Sequence, residues 1–453
     1  MQSSFGWGHI AMWFNKRWPY STAWLIPLLY AGGAIVAGLT FPRIEHRILP
    51  HLVTELSAPV AMAIYSAIAS GMITLTGIVF SLTFVMVQFS ATAYSPRLVL
   101  WIARDRTISH ALGLFTATFL YAIAALTGVD RNGSGKVPFI SAWSVIALLM
   151  ASVGMFIALI HRIGLLQVNR ILIFTGDQGR KAIQALYEPA HSAPGAEPAG
   201  RLRGLRKPQV LAHRGQPRTL QAIDTRGLVE MAKAANAVIE IEAAIGDTLM
   251  DGMPLLMVLG APQAIDERKL RNRILLGEQR AFEQDPKYAI RILVDIAIRA
   301  LSPAINDPTT AVQALDQVED LLLRLGRYAS LEIGVIRSND GEVRLVVPCP
   351  AWEDFLRLAF DEIMFYGAGS IQVMRRMNAL IADLISLLPE KRNMALSGWK
   401  ARLQATIEHS FADADAKSDA SLEDRQGLGI PRRNPNLHPP RPGNLEDIDS
   451  SSA

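Results

Sequence analysis

The distribution of apolar residues divides the chain into an apolar first third and a mixed remainder. Within residues 1–164, four apolar runs are each long enough to cross a bilayer core of about 30 Å as a helix. The runs cover residues 23–41, 58–93, 107–129 and 137–160. This pattern predicts a transmembrane domain of four α-helices in contact with the lipid bilayer.

The second run is unusually long, because residues 58–93 carry no charged side chain over 36 positions. As one helix it would measure about 54 Å, which exceeds the hydrocarbon core. Thr74, Gly77, Ser81 and Gln88 recur at helical spacing and share one face. We expect this helix to be the central one of the membrane assembly, with that face either lining a pore or packing against another helix.

Basic residues near the runs predict the orientation. With a cytoplasmic N-terminus, nine Lys and Arg residues flank the runs on the inside and four on the outside. This bias predicts a multi-pass membrane protein with both termini cytoplasmic. If residues 58–93 formed two short spans instead, the remainder of the chain would lie outside.

Residues 165–411 show the mixed periodicities of an α+β cytoplasmic domain. Alternating segments predict β-hairpins at 209–224 and 331–347. The run from Gly246 to Leu255 resembles the small barrel-sandwich modules of biotinyl and lipoyl domains, but it lacks the lysine that those carriers modify. Helical periodicity covers residues 287–301, 308–325, 352–366, 371–388 and 391–411.

Residues 412–453 contain few large apolar side chains and are rich in Pro and Ser towards their end. Such a composition cannot bury enough apolar surface to compensate for the entropy lost on ordering. We therefore expect a disordered tail.

The remaining composition argues against several classes of function. The net charge of +4 is explained by basic loops that face anionic lipid. The sequence contains no basic run interleaved with aromatic residues, so we expect no nucleic-acid partner. The single cysteine, Cys349, excludes an internal disulfide and a multi-cysteine metal site. His110 lies in the third run, either at the membrane interface or as a proton relay. We expect no enzyme activity, metal or cofactor.

The densest polar signal follows residue 282. Arg291, Asp295 and Arg299 are spaced by four and would form a ladder of alternating charge on one helical face. Asp307 before Pro308 is a helix-start signal. This network either caps and joins helices or forms a pocket for an ion or small ligand. If its carboxylates converge, two of them could also act as a general acid and base. Its members are Asp285, Arg291, Asp295, Arg299, Asn306 and Asp307.

Several motifs carry a family resemblance. They are residues 77–83, Gln88 and Phe89, and residues 94–98, 284–286, 295–297, 299–303 and 305–311. They resemble an uncharacterised bacterial family of predicted integral membrane proteins, known as domain of unknown function 2254. The resemblance implies a protein of the bacterial inner membrane with a cytoplasmic domain and supplies no established activity.

Two departures from the family pattern bear on the polar site. Ala304 stands where glycine is usual, which argues against a positive φ at that position. Met364-Phe365 replaces a more polar pair, which argues against including Asp361 and Glu362 in a shared polar site.

Together these patterns predict a homo-oligomeric ion channel or transporter with a cytoplasmic regulatory domain. The alternative is a non-conducting membrane scaffold or signalling protein whose cytoplasmic domain binds a small ligand or a protein partner.

Overall fold

The computed structural model describes residues 22–48, 57–93, 106–129, 137–164, 168–187, 208–328 and 334–430. The chain divides into two compact units, Met1–Gln167 and Val168–Ala453. Of the motifs that carry the family resemblance, residues 94–98 lie outside the described residues.

The N-terminal unit is helical, and within its described part four helices are long and apolar enough to cross a membrane. Their apolar windows are Leu25–Glu45, Ala58–Val85, Thr107–Leu126 and Phe139–His161, so the prediction of four candidate spanning helices is confirmed. The full helices are α1 (Thr22–Ile48), α2 (Ala58–Ala93), α3 (Arg106–Leu126) and α4 (Phe139–Gly164). How far α2 extends beyond the bilayer stays a prediction.

Helix α3, and not α2, lies at the centre of this unit. Of its apolar window 56% is buried, against 11–17% in the other three helices. Close approach to α1 depends on small residues: a Cβ at Gly38 would lie 2.6 Å from Ala124, and one at Gly113 would lie 2.9 Å from Tyr30. The expectation that residues 58–93 form the central helix of a membrane assembly stays a prediction, because these burial values describe a single chain. Helix α2 lies at the periphery of the unit, with 17% of its apolar window buried.

The C-terminal unit contains two β-sheets. A five-stranded sheet has the order β1-β5-β3-β8-β7, with β3 and β8 parallel and the other neighbours antiparallel; a three-stranded sheet has the order β4-β2-β6. The strands are β1 (Gln209–Ala212), β2 (Arg218–Ile223), β3 (Val238–Ile241), β4 (Thr248–Leu249), β5 (Pro254–Leu259), β6 (Ile274–Gly277), β7 (Gly334–Arg337) and β8 (Val343–Val347).

The pairing of β1 and β2 differs from the predicted hairpin. Strand β1 pairs with β5, whereas β2 pairs with β4 and β6. Leu211 of β1 and Leu220 of β2 are buried in one apolar core to which both sheets contribute. Joining both sheets over a shared core buries both strands more fully than a local hairpin would. The second predicted hairpin, β7 with β8, is confirmed, and the likeness to a barrel-sandwich module stays a prediction.

Helices form the rest of the C-terminal unit, and those predicted from periodicity are present. They are α5 (Val168–Tyr187), α6 (Thr225–Ala234), α7 (Glu267–Arg271), α8 (Pro286–Ala300), α9 (Pro308–Gly326), α10 (Trp352–Gly367), α11 (Ile371–Leu387), α12 (Asn393–Ser410) and α13 (Ala414–Ala420). Helix α8 is buried along most of its length and packs against α5, α9 and α10.

The expected tail is ordered in its first part. Residues 412–430 include α13 and a loop in which Asp424 is 1% exposed. This segment is held by polar contacts, among them an ion pair of Arg425 with Asp383 (Nε–Oδ2 2.6 Å). The disorder prediction was therefore wrong here, because it considered only large apolar side chains. Residues 431–453 lie outside the described part of the chain.

Candidate functional site

The polar face of α2 points away from the helices of its own unit. Thr74, Gly77, Ser81 and Gln88 are all exposed, whereas the face that packs inward is buried at Met72 and at other apolar positions. A Cβ built on Gly77 would meet nothing within 4 Å. The Thr74 hydroxyl donates to the Ser70 carbonyl at 2.9 Å, so this group is satisfied within its own helix. In one chain the small and weakly polar residues of this face are thus exposed.

The second predicted set does not converge on one point. Asp285 caps the N-terminus of α8, and Asp307 caps that of α9. The Asp307 amide donates to the Ala300 carbonyl at 2.8 Å, which places it at the far end of α8, roughly 22 Å from Asp285. Asp295 lies between them, about 15 Å along the helix from Asp285. Asp285 is therefore too far from the other two carboxylates to form a general acid–base pair with either of them.

Asp285 is a buried structural carboxylate. Its Oδ1 accepts the Tyr288 amide at 3.2 Å, and its Oδ2 accepts from Arg280 Nε at 2.8 Å. Burial raises the pKa of Asp285 above the ordinary aspartate value, although Arg280 opposes this shift. Gly246 lies against the pair with φ +94°, and a Cβ there would be 2.4 Å from Arg280 Nη2. Only glycine suits both the backbone and the space at this turn.

Arg291 is the centre of a separate ion-pair network. Its Nε donates to Asp295 Oδ1 at 2.6 Å, as the spacing of four predicted, and its Nη2 donates to Glu362 Oε2 at 2.8 Å. The hydrogen bonds from Arg291 lower the pKa of Glu362. The argument that excluded Glu362 from the polar site was therefore wrong, because Glu362 reaches Arg291 from α10 regardless of the apolar residues that follow it. Arg299 lies one turn beyond Asp295.

The turn between α8 and α9 is built by local hydrogen bonds. The Ser302 hydroxyl donates to the Arg299 carbonyl at 2.7 Å, and Asp307 accepts from both the amide and the hydroxyl of Thr310. The positive φ of this turn falls on Asn306, at 49°, and not on Ala304. Capping and ion pairing thus account for Asp285, Arg291, Asp295 and Asp307, in line with the structural alternative.

A family model described as a predicted membrane protein (DUF2254) matches residues 20–383. The chain belongs to the DUF2254 family. The match includes all four spanning helices and most of the C-terminal unit, including the Arg291 network.

Curated relatives of this DUF2254 protein are similarly uncharacterised. It is 27% identical over 369 residues to the uncharacterized protein Mb1321c of Mycobacterium bovis and equally to the uncharacterized protein Rv1290c of Mycobacterium tuberculosis. Each alignment covers 78% of this chain and 69% of the relative. No solved structure matches.

The DUF2254 membrane unit also contains buried polar groups that the sequence reasoning missed. Thr118 and Ser152 join α3 to α4 through a hydrogen bond of 2.8 Å, and Glu45 is only 3% exposed at the end of the α1 window. The sequence signal that could have identified Glu45 is its position as a carboxylate at the end of the first apolar window. His110 lies in the first two turns of α3 and is 3.3 Å from the Tyr30 hydroxyl, so a short polar contact engages it at that end of the bundle.

Proposed function

We propose that this DUF2254 protein is a homo-oligomeric ion channel or transporter of the bacterial inner membrane. In this proposal the polar face of α2 from Thr74 to Gln88 lines the conduction path or the interface between copies. Both termini lie in the cytoplasm, and the C-terminal unit acts as a regulatory domain there.

The observation that supports the proposal is the direction of that face. Polar side chains within a membrane face protein or water rather than lipid, and small residues permit close approach of helices. The polar face of α2 is exposed in a single chain, opposite the face buried at Ala61, Met72 and Val79. A second copy of the chain would cover it, and several copies around an axis would enclose it.

Ion flux from liposomes that hold the purified full-length protein tests conduction. Gln88→Leu and Ser81→Leu remove polar groups from the exposed face and are expected to change the flux at least several-fold. Thr76→Val is the matched control, because the Thr76 hydroxyl donates to the Met72 carbonyl and its side chain is half-buried on the opposite side. Wild-type protein without flux for any ion, or variants with wild-type flux, would contradict the proposal.

The α8–α9 turn favours the second candidate function, a scaffold or signalling protein. Ile305 is 45% exposed beside Asn306, which adopts a left-handed backbone conformation. Such backbone strain is concentrated at binding sites. Capture of a partner by the full-length protein in detergent, lost on Ile305→Asp but kept on Met394→Asp, would favour this function. Met394 is a control because it is 88% exposed in a different helix.

A further inference from the structure

Five large apolar side chains are exposed at one end of the helices of the C-terminal unit. Their exposed fractions lie between 45% and 75%. They are Ile305 of the α8–α9 turn, Phe365 and Tyr366 near the end of α10, and Leu428 and Ile430 of the loop after α13. These five residues are called the apolar end surface below. Exposed apolar side chains that lie together in this way mark surfaces that contact another protein or a membrane.

Contacts between the helix ends bring the members of this surface together. A Cβ at Gly367, the last residue of α10, would lie 3.3 Å from Leu301 Cδ1 at the end of α8. The Gln372 side chain, in the first turn of α11, lies 3.5 Å from the Thr309 hydroxyl of α9 and donates to the Gly427 carbonyl at 2.7 Å. The α8–α9 turn, the α10–α11 turn and the loop after α13 therefore lie side by side.

Helix α5 begins at this same end of the unit. It runs parallel to α9, because Arg180 Nη1 lies 2.6 Å from Asp320 Oδ2 and the rings of Tyr187 and Tyr328 are 5.1 Å apart further along both chains. Both helices rise by about 1.5 Å per residue. Counted back from these contacts, the first residue of α5 lies level with the first turn of α9.

Covalent connectivity keeps this end of the helices near the bilayer. The last candidate spanning helix, α4, ends at Gly164, and α5 begins at Val168. Four Cα–Cα steps of about 3.8 Å cover at most about 15 Å. The end of the unit at which α5 begins is also the end that carries the apolar end surface.

We propose that the apolar end surface docks the C-terminal unit onto the lipid bilayer, with its side chains in the headgroup region. Aromatic side chains with a polar tip, such as Tyr366, are enriched at membrane–water interfaces. Arg170 is exposed in the first turn of α5, where its charge attracts anionic headgroups. Lipid is the occupant because the link to α4 holds this surface beside the bilayer at all times, whereas a soluble partner would have to displace the lipid.

Backbone amides at this surface already take part in local hydrogen bonds. The amides of Ile305 and Asn306 donate to the Ser302 carbonyl at 3.0 and 2.9 Å, and Asp424 accepts the amide of Gly429. Moving an unpaired polar group out of water is costly. Because these amides are paired, transfer of the two turns into the headgroup region mainly removes apolar surface from water, which is favourable.

Quenching of single fluorophores by lipid tests this inference. In a Cys349→Ser background of the full-length protein, Phe365→Cys and Leu428→Cys each receive an environment-sensitive fluorophore. Met394→Cys is the matched control, because Met394 is 88% exposed and follows the end of α11 that is remote from the surface. The proteins are reconstituted into vesicles of phosphatidylcholine and phosphatidylglycerol in which some lipids carry a nitroxide near the headgroup. We expect quenching at residues 365 and 428 to be several-fold stronger than at residue 394.

Substitutions at the surface provide a second readout. With the fluorophore at residue 428, Phe365→Asp is expected to lower the quenching several-fold, and Met394→Asp is expected to leave it unchanged. Arg170→Gln should lower the quenching in vesicles that contain phosphatidylglycerol and have no effect in phosphatidylcholine alone. All three positions are exposed, so these variants should keep the Tm of the labelled parent protein.

Equal quenching at residues 365, 428 and 394 would overturn the inference. So would a blue-shifted emission at residues 365 and 428 that nitroxide lipid does not quench, because a protein partner or a second copy would then cover the surface. The measurement is independent of conduction. Flux without quenching would overturn this surface and leave the proposed conduction intact, and quenching without flux would do the reverse.

Discussion

Arg291 of α8 binds both carboxylate oxygens of Glu362 on α10, with Nη2 2.8 Å from Oε2. Bidentate pairs of this kind are stronger than single charge-assisted hydrogen bonds, but the Glu362 side chain is 43% exposed, so solvent screens the pair. We expect Glu362→Gln to lower the free energy of unfolding of the C-terminal unit by about 1 kcal/mol. Urea unfolding of the full-length protein in detergent measures this change in the free energy of unfolding. Glu353→Gln is the control, because Glu353 is exposed on the same helix. It should change the free energy of unfolding by less than Glu362→Gln does.

The same pair predicts a pH dependence. Because Arg291 lowers the pKa of Glu362 below the ordinary value of 4.5, the folded state favours the ionised carboxyl. The stabilisation is complete above pH 4.5 and is lost as the pH falls through the lowered pKa of the folded state. The difference in stability between wild type and Glu362→Gln should therefore shrink in acid. A difference that stays constant from neutral pH to pH ~2 would contradict the assignment.

Arg376 of α11 is a buried cation between two carboxylates of α9. Its side chain is 4% exposed, its Nε donates to Asp316 at 2.8 Å, and its Nη2 donates to Glu319. Burial raises the pKa of Glu319 while Arg376 opposes the shift. Removing Arg376 would leave Glu319 buried without its counter-ion, so Arg376→Met should cost about 3–5 kcal/mol of unfolding free energy.

Hydrogen exchange of the α9 amides and urea unfolding would measure the loss. The matched control is Arg402→Met, since the Arg402–Asp361 pair is exposed and should contribute about 1 kcal/mol or less. The double variant Arg376→Met with Glu319→Leu is expected to recover part of the stability. A cost for Arg376→Met no larger than that of the control would show that the buried pair does not stabilise the unit.

Asp424 organises the loop after α13. It is 1% exposed and accepts the amides of Gln426, Gly427 and Gly429 at 2.9, 3.0 and 2.6 Å. Asp424→Ala leaves these donors without an acceptor, at a cost of about 1–3 kcal/mol. Proteolysis between residues 412 and 430 should then accelerate. Asp415→Ala, at an exposed position in α13, is the control, and equal protease resistance in both variants would contradict the role of Asp424.

The features that the sequence predicted well are those with local causes. Four apolar runs predicted four helices long and apolar enough to span a membrane, and Asp307-Pro308 marked a helix start that side-chain capping confirms. Spacing of four also predicted the contact between Arg291 and Asp295. In each case the decisive interaction lies within one or two helical turns, where sequence spacing determines distance.

The features that were missed depend on contacts between residues distant in the chain. Strand β1 pairs with β5 rather than with its neighbour, and Glu362 reaches Arg291 across 71 positions. Asp424 orders a segment that has few apolar residues, and Glu45 caps a helix 95 positions later at Ile140. Local periodicity contains no information about such partners. The burial of α3 within the single chain could not be predicted for the same reason, since burial depends on all four helices together.

Cysteine cross-linking would test whether copies of the chain meet through α2. In a Cys349→Ser background, Thr74→Cys places a thiol on the exposed polar face, and Ala69→Cys places one on the buried face, where Ala69 is 6% exposed. If the polar face joins two copies, oxidation in native membranes should give a covalent dimer for Thr74→Cys and little for Ala69→Cys. Small residues let helix axes approach closely enough for a disulfide, whose Cα atoms are usually about 5–6 Å apart. Equal yields for both variants, or none for Thr74→Cys, would leave the polar face facing lipid and remove the structural basis for an oligomeric conduction path.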